Sequence, residues 1–391
     1  MKKILFCLPS MNLGGTEKAL LSMISAIDLD KYQVTIGLIK KTGKLLAEVP
    51  AECKVIELPL SPKTQEDLLR GGAVANIKYY AKKGKIFRAF KIAIKKILGN
   101  LFAELNEKFE TITPLDEQFD IAVAYQMHNP FVTKYVAQKV NANKKAIFIH
   151  NDFFTTKYKV NLLTAELANY DKIYAVSQQL KEEFVTILPQ YSTQTEIFYN
   201  IFNNKKIKEL ANEFYPEEYH SDVIKICSVG RLNSQKGYYL AIEVAKMLRD
   251  DGLKFVWYIV GDGELRSKLQ KEIEVNNIND NFILLGSKQN PYPYIKNCDI
   301  YCQTSLHEGY CTTTNEAKFL AKPIITTDIA GANEQFVNGF NAFVVDKNSR
   351  SIYDKLIELI TDKEVQKKFI DNLNIVDWDK PNEKIEEFLN M

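Results

Sequence analysis

The chain has 391 residues, with 51 Lys and Arg against 49 Asp and Glu, and 46% of its residues are hydrophobic. This composition excludes both a disordered chain and a collagen-like one, and the length predicts two domains that each bury a core. The formal net charge of +2 argues against a protein whose whole surface binds nucleic acid, so no nucleic-acid partner is expected.

Six cysteines are scattered along the chain, and most lie in apolar runs such as ILFCL, which contains Cys7. They predict buried thiols in a reducing cytoplasm rather than a disulfide framework. No CxxC pair or His/Cys cluster supplies a set of zinc ligands, so we expect neither a metal nor another cofactor. The apolar run after Met1 ends at Pro9, too early for a signal peptide, and no run approaches the ~18 residues of a membrane span.

Short apolar runs alternate with helical patterns in both halves of the chain, which predicts an α/β protein with parallel sheets. The charged segment 203–222, which contains Pro216, predicts the boundary between two doubly wound domains, 1–203 and 204–376. Ligands are expected beyond the carboxyl ends of the strands and between the domains. The predicted strands are 2–8, 33–39, 54–58, 119–125, 144–150, 172–176 and 195–199 in the first half, and 224–230, 255–261, 281–286, 299–303, 323–327 and 341–345 in the second.

A basic segment interrupts the first series of strands. Eight Lys or Arg and no acidic residue lie between Lys78 and Lys96, and apolar residues recur at helical spacing as far as Leu101. The pattern predicts a basic amphipathic helix that binds an anionic membrane surface. The alternative is an ordinary surface helix whose Phe side packs on the first domain. The candidate membrane and acceptor residues are Lys82, Lys83, Phe87, Phe90, Lys91 and Lys95.

Two glycine-containing loops follow predicted strands, where an anion would meet unpaired backbone N–H groups at a helix start. The first is 12–17, in which Gly14 and Gly15 let the backbone approach a ligand closely. The second, 230–237, carries Arg231 and Lys236, two cations that suit a diphosphate. The alternatives are an ordinary glycine turn for the first loop and solvated surface charge for the second.

A third loop, VGDGELRSKL at 260–269, imitates a dinucleotide-binding fingerprint. The GxGxxG pattern fails, because the third glycine position holds Arg266 and no acidic residue follows a second strand at the required distance. The loop is therefore interpreted as a strand-to-helix turn rather than a nicotinamide site.

The fourth loop, 305–317, carries two carboxylates at the end of a predicted strand. Glu308 lies in the loop beside Gly309, and Glu316 lies in the first turn of the helix that follows. Carboxylates in such a place hold sugar hydroxyls, and the N–H groups of 310–314 hold phosphate oxygens. The alternative for Glu316 is a capping box with Thr313. Glu308 has no such structural reason, so a functional role is favoured.

With these residues the chain resembles the retaining glycosyltransferases of family four, which have the GT-B fold, of the type found in bacterial cell-envelope and capsular polysaccharide synthesis. Glu308 and Glu316 form the E-x7-E pair, and the resemblance covers 223–345 almost continuously. In the first half it depends on the glycine loop, on His150 after a strand, and on Val176-Ser177 before a helix. The remaining motifs, in the family's order, are Gly14-Gly15-Thr16-Glu17, Gly230-Arg231, Lys236-Gly237, Gly261-Asp262-Gly263-Glu264, Leu285-Gly286, Pro323-Ile324-Ile325-Thr326-Thr327, and Gly331 with Glu334.

The resemblance implies that a sugar moves from a nucleotide-sugar, expected to be a UDP-sugar, to a hydroxyl of a glycan acceptor with retention and without a metal. Arg231 and Lys236 would neutralise the diphosphate, Glu308 would hold the donor sugar, and Glu316 the nucleotide ribose. His150 would contact a hydroxyl of the donor sugar. The alternative role for His150 is that of a structural histidine. The loop reads E-G-Y-C rather than the commoner E-G-F-G. Because Cys311 replaces a glycine next to the sugar position, the resemblance does not identify the donor sugar. Further donor-binding residues would be Gly15, Gly230, Gly261, Gly286, Ser287, Gly309, Tyr310, Cys311, Thr312 and Thr313.

The same resemblance assigns the acceptor to the first domain and the nucleotide-sugar to the second. It implies that the last helix, 377–391, crosses back to the first domain, with Trp378, Ile385, Phe388 and Leu389 as its apolar face. A lipid-linked acceptor would place the enzyme on the inner face of the cell membrane. The alternatives are a nucleotide-sugar epimerase of the same architecture, a membrane-surface binding protein built on the basic segment, and an inactive transferase retained for binding.

Overall fold

The structure is a computed structural model of the chain and describes residues 1–69, 72–87, 89, 90, 109, 112–153, 160–220, 222–375 and 383–391. All thirteen predicted strands are present among them, within a few residues of their predicted bounds. The strands form two parallel sheets, one in each half of the chain, and helices cover the faces of both. The α/β class and the two-domain GT-B architecture are therefore confirmed.

The first sheet has seven strands in the order β3-β2-β1-β4-β5-β6-β7. In β1 the last five residues are buried, because a parallel sheet is covered on both faces. The strands are β1 Lys2–Leu8, β2 Tyr32–Leu38, β3 Lys54–Glu57, β4 Leu115–Ala124, β5 Val140–Ile149, β6 Lys172–Ala175 and β7 Thr195–Ile197. The helices are α1 Gly15–Ser25, α2 Pro62–Leu69, α3 Gly72–Lys82, α4 Pro130–Lys139, α5 Thr164–Leu167 and α6 Gln178–Ile187.

The second sheet has six strands in the order β10-β9-β8-β11-β12-β13. Its strands are β8 Ile224–Val229, β9 Phe255–Val260, β10 Phe282–Gly286, β11 Ile300–Gln303, β12 Ile324–Thr327 and β13 Phe343–Val345. The helices are α7 Asn204–Leu210, α8 Tyr238–Asp250, α9 Arg266–Val275, α10 Tyr292–Asn297, α11 Thr312–Phe319, α12 Ala332–Gln335, α13 Ser349–Thr361, α14 Lys363–Ile375 and α15 Glu383–Leu389. Short 3₁₀ helices lie at Lys44–Glu48, Val160–Leu163, Pro189–Gln194 and Ser234–Lys236.

The strand order reverses between β1 and β4 in the first sheet and between β8 and β11 in the second. Loops on either side of such a reversal run in opposite directions, so a crevice opens beyond the carboxyl ends of these strands. The loops predicted to carry function follow β1, β8 and β11, and each of these strands borders a reversal. The topology therefore places them at the two crevices.

The last helix lies on the core of the first domain, although it follows the second domain in sequence. Phe388 is fully buried, and its ring centroid lies 6.1 Å from that of Phe6 and 6.2 Å from that of Phe198. Lys2 also donates to the carbonyl of Leu389 at 3.2 Å. The predicted return of the helix is confirmed for the described residues; Trp378 lies outside them.

The predicted domain limits, 1–203 and 204–376, stay a prediction. The strands of the first sheet end at Ile197 and those of the second begin at Ile224, on either side of the proposed boundary. Helix α7, which follows the boundary, packs against α10 and α11 of the second half.

The prediction of one basic helix from Lys78 to Leu101 is wrong where the structure describes it. Helix α3 ends at Lys82, and Gly84 adopts a left-handed conformation with φ of 71°. A glycine in this conformation terminates a helix, because other residues rarely adopt it. Among the described residues, Lys82 before Gly84 and Lys85 after it therefore do not lie in one continuous helix.

Candidate functional site

A cleft of about 690 Å³ lies between the two domains and is lined by loops from both sheets. From the first domain come the Gly14–Gly15 loop after β1, Gln126 after β4 and His150 after β5. The second domain contributes the loops after β8, β9 and β11. Folding therefore brings together segments that lie almost 300 residues apart in sequence.

An ion pair between Lys236 and Glu308 lines the cleft. The Lys236 ammonium lies 2.5 Å from Oε1 of Glu308, and both side chains are largely buried. Ser305 donates its hydroxyl to the same oxygen at 2.8 Å. Burial lowers the pKa of Lys236, but the charge and hydrogen bond of Glu308, together with Cys311 and Tyr238, outweigh burial and raise that pKa above its ordinary value. Lys236 is therefore held as a cation and Glu308 has a fixed orientation.

Close backbone packing holds the two loops of this pair together. Gly237 has φ of 63°, and a Cβ there would lie 2.1 Å from the carbonyl oxygen of Thr304. Thr304 in turn donates its hydroxyl to the carbonyl of Lys236 at 3.0 Å. Glycine at 237 is thus required for both its conformation and its space, and it fixes the position of the neighbouring lysine.

Arg231, the second predicted cation, lies on the same loop at the cleft surface. The N–H of Leu232 donates to the carbonyl of Asp262 at 3.0 Å, which ties this loop to the loop after β9. A Cβ at Gly263 would lie 2.4 Å from the carbonyl oxygen of Leu232. The glycines of the false dinucleotide fingerprint therefore serve close loop packing beside the cationic loop.

Glu316 lies in α11, and 3% of its side chain is exposed. Its Oε1 accepts a hydrogen bond from the Tyr292 hydroxyl at 3.2 Å and lies 3.7 Å from the ammonium of Lys18. Its Oε2 is buried without a hydrogen-bond partner in the structure. Such an oxygen is costly unless a ligand satisfies it. The capping-box alternative is wrong, because α11 begins with no side-chain cap and the Thr313 hydroxyl bonds to Gln303.

His150 and Gly309 meet across the domain interface. A Cβ at Gly309 would lie 1.9 Å from the carbonyl oxygen of His150, and Ser177 donates its hydroxyl to the carbonyl of Gly309 at 3.0 Å. Burial and the nearby His128 lower the pKa of His150 to about 3, against a hydrogen bond with the backbone of Tyr125. His150 is therefore neutral at physiological pH, and its Nε2 is buried without a hydrogen-bond partner. This orphaned nitrogen favours a ligand-contacting role over a satisfied structural histidine.

Other predicted donor-binding residues also approach the first domain. A Cβ at Gly15 would lie 3.1 Å from the hydroxyl oxygen of Thr312, so glycine allows the two loops to meet. The ring of Tyr310 packs against that of Tyr199, with centroids 5.6 Å apart. The cleft surface includes Gly15, Gly230, Arg231, Lys236, Gly261, Ser287, Glu308, Gly309, Tyr310, Thr312 and Thr313.

Three predicted residues lie behind the cleft surface rather than on it. Cys311 is buried against Ile329 and Ala332, so its thiol is a core group in this conformation. Gly286 lies behind Gly261 and accepts its N–H at 2.9 Å. Glu316 is separated from the cleft by Lys18, which also stacks over the Tyr292 ring at 5.1 Å.

None of the described residues of the basic segment lines the cleft. Lys82 and Lys83 are exposed, and Phe87 and Phe90 are 90% and 62% exposed. Lys91 and Lys95 fall outside the described residues. No helix in the described part of the chain has the length and apolar character needed to cross a membrane.

Sequence reasoning assigned no role to several residues that line or support the site. Glu17 and Gln126 line the cleft from the first domain, and Lys18 reaches Glu316 from α1. Glu334 accepts hydrogen bonds from the N–H groups of Gln178 and Gln179, at 2.8 and 3.3 Å across the interface. Glu17 and Glu334 belong to motifs named in the sequence analysis. No sequence pattern indicated their hydrogen-bond partners, which lie more than 100 residues away along the chain.

In sequence, this chain is similar to known glycosyltransferases. Residues 212–374 match the model of the family Glycosyl transferases group 1. An uncharacterized glycosyltransferase of Methanocaldococcus jannaschii is 32% identical over 161 residues, which are 40% of this chain and 40% of that protein. In Campylobacter jejuni, N-acetylgalactosamine-N,N'-diacetylbacillosaminyl-diphospho-undecaprenol 4-alpha-N-acetylgalactosaminyltransferase is 25% identical over 375 residues, or 94% of this chain and 93% of its own.

Among solved structures, HepE of Anabaena in complex with UDP has a TM-score of 0.72 with 16% identity, and each chain is covered completely. The same protein is also known in complex with UDP-glucose, with 17% identity to this chain. At this level of identity the likeness establishes the shared fold.

Proposed function

We propose that this chain, whose residues 212–374 match the glycosyl transferases group 1 model, moves a sugar from a UDP-sugar to a hydroxyl of a lipid-linked glycan. The transfer retains the anomeric configuration and needs no metal. The observation that carries the proposal is the interdomain cleft, in which the cationic loop of Arg231 and Lys236 meets the carboxylate of Glu308.

The donor side of the cleft supplies what a nucleotide diphosphate leaving group requires. Arg231 lines the cleft, and Lys236 is held as a cation within it. These two charges stabilise the negative charge that develops as the bond from sugar to phosphate breaks, a role that a metal ion has in other transferases. UDP is favoured as the nucleotide because the Anabaena protein of the same fold binds UDP and UDP-glucose.

In the proposed reaction, retention follows from attack on the face from which the leaving group departs. The bond from the anomeric carbon to the phosphate oxygen breaks, and the bond to the acceptor oxygen forms. The proton of the acceptor hydroxyl passes to the departing diphosphate. Glu308 lies beside the sugar, where positive charge develops, and Glu316, which lies behind Lys18, is assigned to the ribose.

A lipid-linked glycan acceptor is favoured by the Campylobacter jejuni relative, whose name places a diphospho-undecaprenol on its acceptor and which aligns with 94% of this chain. In this chain we assign attachment to an anionic membrane surface to the basic segment. It carries exposed Lys82 and Lys83 beside Ile86, Phe87 and Phe90, which are 71%, 90% and 62% exposed. Each cation near an anionic surface contributes about 1 kcal/mol to the free energy of membrane binding. Exposed aromatic side chains strengthen binding further by inserting between the lipids.

Donor identity and reaction type are tested by incubating the protein with a panel of UDP-, GDP- and ADP-sugars and measuring nucleoside diphosphate release. We expect release from a UDP-sugar, undiminished by a chelator and lost in Arg231→Ala. NMR of the product then reports the anomeric configuration. A product whose sugar has changed configuration while still on its nucleotide would support the epimerase instead, and strict dependence on added Mg²⁺ or Mn²⁺ would refute the metal-free mechanism.

Membrane attachment is tested by sedimentation with liposomes of varied anionic lipid content and salt. Binding should require anionic lipid, weaken with salt, and fall when Lys82, Lys83, Lys91 and Lys95 become Gln. Replacement of four lysines elsewhere, such as Lys205, Lys206, Lys246 and Lys268, provides a charge-matched control. Binding that does not depend on lipid charge would contradict membrane attachment through the basic segment and would favour a soluble acceptor.

A further inference from the structure

Glu17 is a carboxylate on the first-domain wall of the cleft, in the first turn of α1. Its side chain lies back over the glycine loop, so that a Cβ at Gly14 would be 2.4 Å from Oε2 of Glu17. Gly14 itself is extended, with φ of −148°, which any residue adopts. A larger residue at this position would therefore displace the Glu17 carboxylate from where it lies in the structure.

Two groups from separate elements act on this carboxylate. Gln126, in the loop after β4, donates its amide to Oε1 at 3.4 Å. Arg231 of the second domain acts on it electrostatically from across the cleft. Burial raises the pKa of Glu17, and its own backbone N–H, Gln126 and Arg231 oppose that effect only in part, so the pKa stays above its ordinary value. The surroundings thus hold a partly desolvated carboxylate in one place at the junction of the domains.

Three acidic side chains line the cleft among the described residues: Glu17, Asp262 and Glu308. Glu308 is paired with Lys236, and Asp262 accepts the N–H of Gly263 at 2.8 Å. Both belong to the second domain, where the proposed function places the donor. Glu17 is the acidic side chain that the first domain contributes to this lining.

We propose that Glu17 accepts a hydrogen bond from the attacking hydroxyl of the acceptor and orients it toward the donor sugar. This inference builds on the proposed function. A hydroxyl is a hydrogen-bond donor that a carboxyl oxygen accepts well. A phosphate or carboxylate on the acceptor at this point would be repelled. The acceptor is therefore a neutral sugar at its reacting end, and any diphosphate it carries lies away from Glu17.

The orienting role leaves the proton balance of the reaction unchanged. The hydroxyl proton goes to the departing diphosphate, and Glu17 neither gains nor loses a proton during transfer. Its effect is on geometry, because a fixed near-attack arrangement lowers the barrier without a change in the bonds that form.

The experiment compares wild type, Glu17→Gln and Glu17→Asp with the UDP-sugar that wild type turns over. The acceptor is a short-chain polyprenyl diphosphate bearing one neutral N-acetylhexosamine, or the neutral glycoside from a p-nitrophenyl panel that wild type glycosylates fastest. We expect Glu17→Gln to lower kcat/KM for the acceptor at least 30-fold, while the Kd for UDP changes less than twofold. Donor hydrolysis, in which water replaces the acceptor, should change less than transfer.

Glu17→Asp separates this role from a helix-stabilising one. Aspartate serves the first turn of a helix as well as glutamate does, but its carboxylate is one methylene shorter. We expect Glu17→Asp to impair transfer and leave the unfolding midpoint unchanged. Glu52→Gln, on the exposed surface, removes the same charge as a control.

Each outcome distinguishes this inference from the proposed function. Full transfer activity in Glu17→Gln, a parallel loss of UDP affinity, or full function of Glu17→Asp would overturn the inference alone. Faster transfer to an anionic glycoside than to its neutral counterpart by wild type would also overturn it. Absence of turnover of every nucleotide-sugar by wild type would refute the proposed function itself.

Discussion

Replacement of Glu308 by Gln should raise the affinity for UDP and lower turnover. In the structure the Glu308 carboxylate lies 2.5 Å from the Lys236 ammonium, and both side chains are largely buried. Gln has the same shape and still accepts the Ser305 hydroxyl, so the loop should keep its conformation. The substitution releases Lys236 from its carboxylate. A charge-assisted hydrogen bond contributes about 1.5–3 kcal/mol, so UDP binding should tighten roughly tenfold, or about 1.4 kcal/mol.

Turnover should fall in the same variant. If Glu308 stabilises positive charge that develops at the anomeric carbon, its neutralisation should lower kcat roughly 100-fold, equivalent to about 2.7 kcal/mol. Calorimetric titration gives the Kd for UDP, and release of UDP from the donor gives kcat. Asp262→Asn removes a charge from the same cleft but leaves the ion pair intact, and it controls for the overall field. Weaker UDP binding together with lower turnover in Glu308→Gln would show a collapsed loop and refute the reasoning.

Further predictions concern the interface, pH dependence and the last helix. Gly309→Ala places a Cβ 1.9 Å from the His150 carbonyl oxygen, so activity should be lost while the second domain melts normally; an active variant would show that the domains need not approach this closely. His150 has a pKa of about 3 when folded and ~6.5 when unfolded, so its contribution to stability is present above pH ~6.5 and lost as pH falls toward 3. Urea unfolding across this range should show a weaker pH dependence in His150→Gln, and an unchanged slope would contradict the burial argument. Phe388→Ala should destabilise the first domain by about 3–5 kcal/mol, seen as faster hydrogen exchange in β1 and β5 but not in β8, whereas Glu386→Ala should change neither. Equal protection of β1 in both variants would contradict the docking of α15.

Much of the fold follows from local sequence pattern. The apolar runs had the length and spacing of buried parallel strands, and all thirteen appear within a few residues of their predicted bounds. The loops at their carboxyl ends were identified because glycine, cationic and acidic residues followed the runs directly. The prediction of one basic helix was wrong because the spacing of apolar residues does not reveal that a glycine is left-handed. Gly84 ends the helix at a point where the spacing of apolar residues would continue it.

The candidate site depended on contacts that no local pattern encodes. Lys236 and Glu308 are 72 residues apart in sequence, yet their pairing fixes the charge of one and the orientation of the other. Glu17 stands in a glycine motif visible in the sequence, but its meeting with Gln126 and its position opposite Arg231 arise from two strand-order reversals and the approach of two domains. The sequence by itself determined which residue types follow each strand, because short-range periodicity and turn chemistry are local. The tertiary structure alone decided which of those residues share a cleft, since distance, burial and electrostatic pairing are set by packing between segments far apart along the chain.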